Sequence, residues 1–292
     1  MNSGIVYAIT AFLLWGLFPL YFHAINNVPA SEILAHRVVW SLLFLAIVLT
    51  ARGQWKWLPQ LRHQPRVIAS FIASSALLTV NWLTYIWAVN NGHVIDGSLG
   101  YYINPLANVL LGFLILKERP RRGQWIAIGL AACGVLWLAV QAGQVPWIAL
   151  IIATSFAGYG LLRKTASLAA LEGLSFETMI MFPIALAYLG WLAFNGHNTF
   201  LSAPDSGTRW LLAAAGPITA IPLLLFTAGA RKIPLSVLGM LQYMSPTMQI
   251  LLGLTYFGES FDTPRLIGFA IIWSALALYA AEGLWTARRA ST

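Results

Sequence analysis

The sequence has few charged residues, and this shortage narrows the class of protein it encodes. Of its 292 residues, 9% are Asp, Glu, Lys or Arg, whereas a soluble domain has about 25%. Hydrophobic residues make up 59% of the chain, and the mean hydropathy is +0.74. Such a chain cannot cover one or two soluble domains with polar surface, and its composition excludes disordered and collagen-like proteins. The class that remains is a polytopic membrane protein.

Cysteine is also scarce, and the motifs of most enzyme classes are missing. Cys133 is the single cysteine, which excludes an intrachain disulfide and a metal site made of cysteines alone. The five histidines form no ligand pair at helical spacing, and the chain has no phosphate-binding loop and no G-x-S-x-G motif. We therefore expect no metal and no cofactor. A membrane-embedded enzyme and a non-transporting membrane binding protein are kept as the alternatives to a transporter.

Long apolar runs predict ten membrane-spanning helices, because a spanning helix takes about 20 residues. The predicted spans are 4–23, 30–50, 67–89, 98–116, 123–140, 145–162, 174–194, 209–230, 235–256 and 266–285. The linkers between them are short and contain Pro or Gly with polar residues. The first run has neither a basic flank nor an A-x-A cleavage pattern, so we expect it to be retained as a span.

The distribution of Lys and Arg predicts how the spans are oriented. With the N-terminus in the cytoplasm, 14 of the 17 basic residues fall in cytoplasmic loops or the C-terminal tail, two fall outside, and Arg37 lies within a span. Both termini are therefore expected to be cytoplasmic. The same distribution accounts for the net charge of +8, so this charge does not indicate a nucleic-acid partner.

The second half of the chain resembles the first half at an offset of 141 residues. The matching positions are 102–105 with 243–246, 110–112 with 251–253, and Glu118 with Glu259. The halves 1–140 and 145–286 then hold five spans each, and an odd number inserts the second half upside down. The predicted fold class is an all-α membrane protein with ten transmembrane helices, arranged as two inverted five-helix repeats around a central cavity.

Several short motifs carry a resemblance to a known family. They are Trp15-Gly16-x-x-Pro19, His36-Arg37-x-x-Trp40-Ser41, Asn81-Trp82-x-x-Tyr85, Gly100-Tyr101-Tyr102-Ile103-Asn104-Pro105 and Gln242-Tyr243-x-x-Pro246-Thr247. With them the chain resembles the EamA-type members of the drug/metabolite transporter superfamily, and in particular the RarD subgroup, over almost its whole length. One departure is that the second half has Phe182 where the first half has Arg37.

The resemblance implies a secondary transporter of the bacterial inner membrane. It would act as an exporter of small metabolites or drug-like amphipathic molecules, working by alternating access. Its partners would be a small-molecule substrate and the lipid bilayer. The oligomeric state stays open, and a monomer is compatible with the sequence. The sequence also leaves open whether transport is facilitated diffusion or proton antiport.

Polar side chains inside the spans supply the candidate binding residues, because they have to face a partner, water or a cavity. Amide and aromatic residues recur at helical spacing on the third, fourth and ninth spans. The residues predicted to line the cavity are Trp15, Arg37, Asn81, Trp82, Tyr85, Tyr101, Asn104, Asn108, Gln242 and Tyr243. Interhelical hydrogen bonds, worth ~0.6 kcal/mol each, are the alternative role for these polar groups. A pocket of this composition suits a small amphipathic or aromatic metabolite.

Ionisable residues near the ends of the spans are the candidates for energy coupling. Glu32 and His36 share one face of the second span at i, i+4 spacing, and they are the candidate coupling residues if transport is linked to protons. A structural ion pair is the alternative for Glu32. Arg37 serves either as an anion or proton site at the cavity mouth or as a structural residue. Glu118 and Glu259 are expected to bond backbone groups at the start of the following helix.

Two prolines occupy equivalent positions in the middle of the fourth and ninth spans. Pro105 and Pro246 each remove one helix hydrogen bond and favour a kink. Paired kinks in the two halves predict hinges for alternating access. Static kinks without a role in transport are the alternative.

Overall fold

The computed structural model describes residues 2–90, 94–141, 147–202, 206–256 and 263–290. Within these ranges all regular structure is helical, and no residue belongs to a β-strand. The helices are α1 (Ser3–Gly16), α2 (Phe18–Ala24), α3 (Ala30–Ala51), α4 (Trp57–Leu61), α5 (Pro65–Asn90), α6 (Val94–Leu114), α7 (Arg122–Gln141), α8 (Trp147–Thr165), α9 (Ala170–Phe194), α10 (Thr199–Ser202), α11 (Ser206–Ala230), α12 (Leu235–Gln242), α13 (Met244–Thr255) and α14 (Thr263–Ala290).

Seven helical segments in the described part of the chain are long and apolar enough to cross a membrane. They are Ser3–Ala24, Ala30–Ala51, Pro65–Ala88, Arg122–Gln141, Ala170–Phe194, Ser206–Ala230 and Leu266–Gly283. Helices α12 and α13 have 8 and 12 residues, and each alone is too short for a span of about 20 residues. The chain is therefore a multi-pass membrane protein, while the ten spans and their inverted repeat stay predictions.

Large apolar side chains point outward from the long helices. Ile126, Ile184 and Phe194 expose 65%, 76% and 92% of their surface. A soluble protein rarely exposes so much apolar surface, whereas a lipid-facing helix does so at no cost. Polar side chains are instead buried between the helices, among them Glu32, Asn108 and Glu177. This distribution fits a helical bundle surrounded by lipid.

Proline interrupts two of the predicted spans, so that each consists of two helices. The first span breaks at Leu17, and Pro19 is the second residue of α2. The ninth breaks at Tyr243, and Pro246 is the third residue of α13. Helix α6, in contrast, continues through Pro105. The two equivalent prolines thus have different consequences, and only Pro246 accompanies a break.

Close approach of helices at glycine determines how the bundle packs. A Cβ at Gly239 on α12 would lie 2.6 Å from the carbonyl oxygen of Pro105 on α6. A Cβ at Gly216 on α11 would meet the backbone carbonyl of Trp40 on α3. Because backbone atoms cannot rotate away, these two contacts require a residue without a side chain.

Glu118, which follows α6, has hydrogen-bond partners that the sequence did not predict. Its carboxylate accepts hydrogen bonds from the backbone amides of Leu235, at 2.7 Å, and Ser236, at 3.0 Å. These amides begin α12, so Glu118 caps a helix in the second half of the chain rather than the following helix α7. Lys117, with φ of 56°, turns the chain so that the carboxylate can reach α12. The equivalent residue, Glu259, lies outside the described residues.

Candidate functional site

A cavity of about 460 Å³ lies inside the bundle, within the size range of small-molecule sites. Both halves of the chain contribute to its wall, through α1, α2, α3, α5 and α6 on one side and α8, α11, α12 and α13 on the other. About a third of the residues in the wall are aromatic. Its aromatic residues are Phe12, Trp15, Phe18, Phe22, Trp82, Tyr85, Tyr101 and Phe156.

Most of the residues predicted to form a cavity do lie in this wall. They are Trp15, Arg37, Asn81, Trp82, Tyr85, Tyr101 and Gln242, together with the predicted hinge residue Pro246. Sequence reasoning missed Phe156, which lies 141 residues after Trp15. The repeat offset could have identified it, because this offset pairs Phe156 with the predicted lining residue Trp15. In the structure the two rings pack edge to face, with their centroids 5.8 Å apart.

Three predicted lining residues lie outside the wall, because their polar groups are used between helices. Asn104 donates a hydrogen bond to the carbonyl oxygen of Ala153 on α8, at 2.8 Å. Asn108 donates to the side-chain oxygen of Gln242 on α12, at 2.9 Å. The Tyr243 hydroxyl donates to the backbone oxygen of Tyr102 on α6, at 3.1 Å. These three residues therefore do not line this cavity, and their part in substrate binding stays a prediction.

Arg37 is the charged residue of the wall and packs against aromatic rings. Its guanidinium carbon lies 4.6 Å from the ring centre of Trp82 and 5.8 Å from that of Phe18. Its Nε donates a hydrogen bond to the hydroxyl of Thr219 on α11, at 2.9 Å. Cation–π contacts and this hydrogen bond fix the guanidinium plane within the cavity.

The two coupling candidates lie beside the cavity and do not line it. The Glu32 carboxylate accepts hydrogen bonds from the amide and the hydroxyl of Thr199, both at 2.7 Å. His36 Nε2 lies 3.7 Å from Glu32, and its Nδ1 accepts a hydrogen bond from the Trp40 indole at 3.2 Å. Glu32 therefore ties α3 to the start of α10. Its coupling role, with that of His36, stays a prediction.

A second buried polar cluster lies between α5, α8 and α9. Arg163 and Glu177 are completely buried, with Nε of the arginine 3.7 Å from the carboxylate. Ser74 and Tyr159 donate hydrogen bonds to the same carboxylate. The aromatic ring of Phe71 lies against the guanidinium, at 5.2 Å from its carbon. This cluster is separate from the cavity, since none of these residues lines it.

The described residues also bear on metal binding. Among them, no three His, Cys, Asp or Glu side chains lie close enough together to hold a metal ion. The polar side chains of the cavity wall are amides, phenols, indoles, one hydroxyl and one guanidinium. The wall therefore presents an apolar and aromatic surface with a few neutral polar groups and one positive charge.

Comparisons with known proteins agree with this architecture. The sequence profile of the EamA-like transporter family matches residues 2–140. A protein named RarD from Streptomyces exfoliatus is 45% identical, over 99% of this chain and 91% of that protein. The RarD protein of Escherichia coli is 44% identical, over 99% of this chain and 98% of that one.

A solved crystal structure shares the fold. It superposes with a TM-score of 0.70 at 19% identity and covers 95% of this chain and 97% of that one.

The family profile and the RarD relatives show that the chain belongs to the EamA-like transporter family. Within this family it falls in the RarD subgroup, as its near full-length similarity to RarD proteins shows.

Proposed function

We propose that the chain is a secondary transporter of the inner membrane that moves a small amphipathic metabolite by alternating access. The two five-helix halves, 1–140 and 145–286, are inverted repeats, and export is the proposed direction. The observation that carries the proposal is the cavity, to which both halves contribute. A site shared by two repeats is the arrangement that alternating access uses.

The cavity wall supports an outward-facing state. It includes Ile25, Asn26 and Val28, which lie in a loop assigned to the outside when the N-terminus is cytoplasmic. The opposite end of the bundle is tied together. There, Lys164 donates hydrogen bonds to the carbonyl oxygens of Ala230 and Ile233, at 2.9 and 2.5 Å. Entry of the substrate from the cytoplasm, which export requires, would need these contacts to separate.

Flux through the purified protein tests the proposal against the two alternatives. Wild-type protein in liposomes is expected to move a substrate across the bilayer, whereas an enzyme or a binding protein produces no flux. Leu34→Trp should abolish this flux because the larger side chain enters the cavity, which Leu34 lines. Leu43→Trp, on the same helix but 48% exposed toward lipid, is the matched control and should transport normally.

The same liposomes distinguish the two modes of energy coupling. Proton antiport predicts that a pH gradient drives accumulation of the substrate, whereas facilitated diffusion only equalises its concentrations. Glu32 and His36 remain the proposed coupling groups, although Glu32 also holds Thr199. Absence of flux for every substrate tested, from protein that is folded and correctly inserted, would contradict a transport function.

Proline replacement tests the hinge proposal. Pro246→Ala restores a backbone donor at the break between α12 and α13 and is expected to slow flux several-fold, with a smaller effect on substrate affinity. Pro105→Ala should slow flux less, because α6 is already continuous. Flux and equilibrium binding are measured on the same preparations. Unchanged flux in folded Pro246→Ala and Pro105→Ala would show that both prolines are static.

A further inference from the structure

The charge of Arg37 has no counter-ion among the residues that the structure describes in the cavity wall. Apart from the bond to Thr219, no described residue accepts a hydrogen bond from its guanidinium. Of the described titratable side chains, those that interact with it electrostatically are Tyr21, Tyr85 and Tyr101, and no carboxylate is among them. Arginine stays charged in proteins. A charge inside a membrane is costly unless a partner neutralises it.

Five glutamates, the acidic residues whose side chains the structure describes, all have other partners. Glu32 binds Thr199, Glu118 caps α12, Glu172 accepts from the amide of Ala169, Glu177 faces Arg163 and Glu282 faces Arg121. None of these carboxylates could approach Arg37 without breaking a contact of its own. None of the five described carboxylates therefore neutralises Arg37, and an anionic ligand in the cavity would do so.

The geometry around Arg37 leaves its outer edge open to a ligand. Trp82 and Phe18 pack against the guanidinium, and its Nε donates a hydrogen bond to Thr219. Both terminal nitrogens can therefore donate hydrogen bonds to a ligand. Two parallel N–H groups match the two oxygens of a carboxylate. One positive charge is balanced by one carboxylate, whereas a phosphate dianion would leave excess negative charge in an apolar site.

The rest of the wall offers a place for an apolar ligand body. Trp15 and Phe156 pack together on one part of the wall, and Tyr85 and Tyr101 do so on another, with ring centroids 5.6 Å apart. Aromatic rings favour offset or edge-to-face contact with other aromatic rings.

We propose that the cavity binds an aromatic carboxylate, with its carboxylate paired to Arg37 and its ring against the aromatic wall. This inference rests on the proposed function and names the substrate class of the same site. It adds a requirement that a transporter of neutral or cationic amphipathic molecules would not have, namely a negative charge on the ligand.

Three probes of one shape but different charge test the proposal. They are indole-3-acetate, indole-3-acetamide and tryptamine, measured by calorimetry and by thermal stabilisation of the full-length protein in detergent. The acid is expected to bind at least about tenfold more tightly than the amide, since a charged pair contributes more than a neutral one. Tryptamine should bind least because its ammonium faces the guanidinium.

Variants of Arg37 distinguish the contribution of the charged pair to ligand binding from that of the rest of the cavity. Arg37→Gln should weaken binding of the acid much more than binding of the amide, so that the preference for the acid is lost. Arg37→Lys should keep a weaker preference, because it retains the charge but not the two parallel donors. Arg66→Gln, an equal loss of charge at an exposed position, should behave as wild type. Unfolding of each variant without ligand shows which ones fold.

Each contrary outcome has a distinct meaning. Equal binding of acid and amide to wild type, or equal weakening of both by Arg37→Gln, would overturn the anion requirement and leave the transporter proposal intact. If the amide or the amine binds and the acid does not, the same conclusion follows. If none of the three binds, the aromatic carboxylate is wrong; flux of any other solute in the liposome assay then decides the transport proposal separately.

Discussion

Glu177→Gln is expected to lower the free energy of unfolding by about 3–5 kcal/mol, the range for removing one partner of a buried ion pair. The variant leaves the charge of Arg163 without its counter-ion, in a place where both side chains are completely buried. Ser74 and Tyr159 also lose the charged acceptor of their hydrogen bonds. Thermal or denaturant unfolding of the purified protein in detergent measures the loss.

Two further variants show whether the effect comes from the unpaired charge. Replacing Arg163 and Glu177 together by leucine removes both charges and should recover much of the stability, because apolar residues of similar volume often replace a buried pair without loss. Glu172→Gln makes the same chemical change on α9, where the half-buried carboxylate contacts only the amide of Ala169. It should cost about 1 kcal/mol or less. A cost this small for Glu177→Gln would contradict the ion-pair interpretation.

Gly216→Ala is the second substitution with a large expected effect. Its methyl group would meet the backbone carbonyl of Trp40, so α11 and α3 would have to separate. Overpacking of this kind costs about 1–3 kcal/mol and sometimes more. The separation would also disturb the bond between Arg37 on α3 and Thr219 on α11, and we expect weaker ligand binding together with the lower unfolding temperature.

Gly190→Ala is the matched control for this prediction. Nothing lies within 4 Å of a Cβ at Gly190, and alanine favours a helix over glycine by up to about 1 kcal/mol. This variant should be slightly more stable than wild type. If Gly216→Ala were equally stable, the close approach of α3 and α11 would not limit the packing of the bundle.

Side-chain periodicity along a helix predicts which residues share a face. For this reason the sequence could predict several residues of the cavity wall. Asn81 and Tyr85 are one turn apart on α5, and both lie in the wall. Periodicity does not say which neighbour a face meets. Asn104 and Asn108 also share a face, but on α6 this face contacts α8 and Gln242. The two pairs have equivalent patterns and different surroundings.

The sequence also does not predict which groups the acidic residues bind. Glu32 binds a residue 167 positions later, and Glu118 binds one 117 positions later. A local pattern at either position predicts only that a carboxylate inside the membrane needs a donor. Which donor it finds depends on how helices far apart in the sequence come together.

The amino-acid sequence by itself determined that this protein is helical, membrane-embedded and similar to EamA-type transporters, because composition, the length of apolar runs and short motifs are local properties. The tertiary structure alone decided that Arg37 enters a cavity with no counter-ion among the described residues while Arg163 is paired, and that Asn108 joins helices while Gln242 reaches the cavity. The physical reason is that a polar group in lipid has to be satisfied, but its partner is chosen by the packing of distant helices.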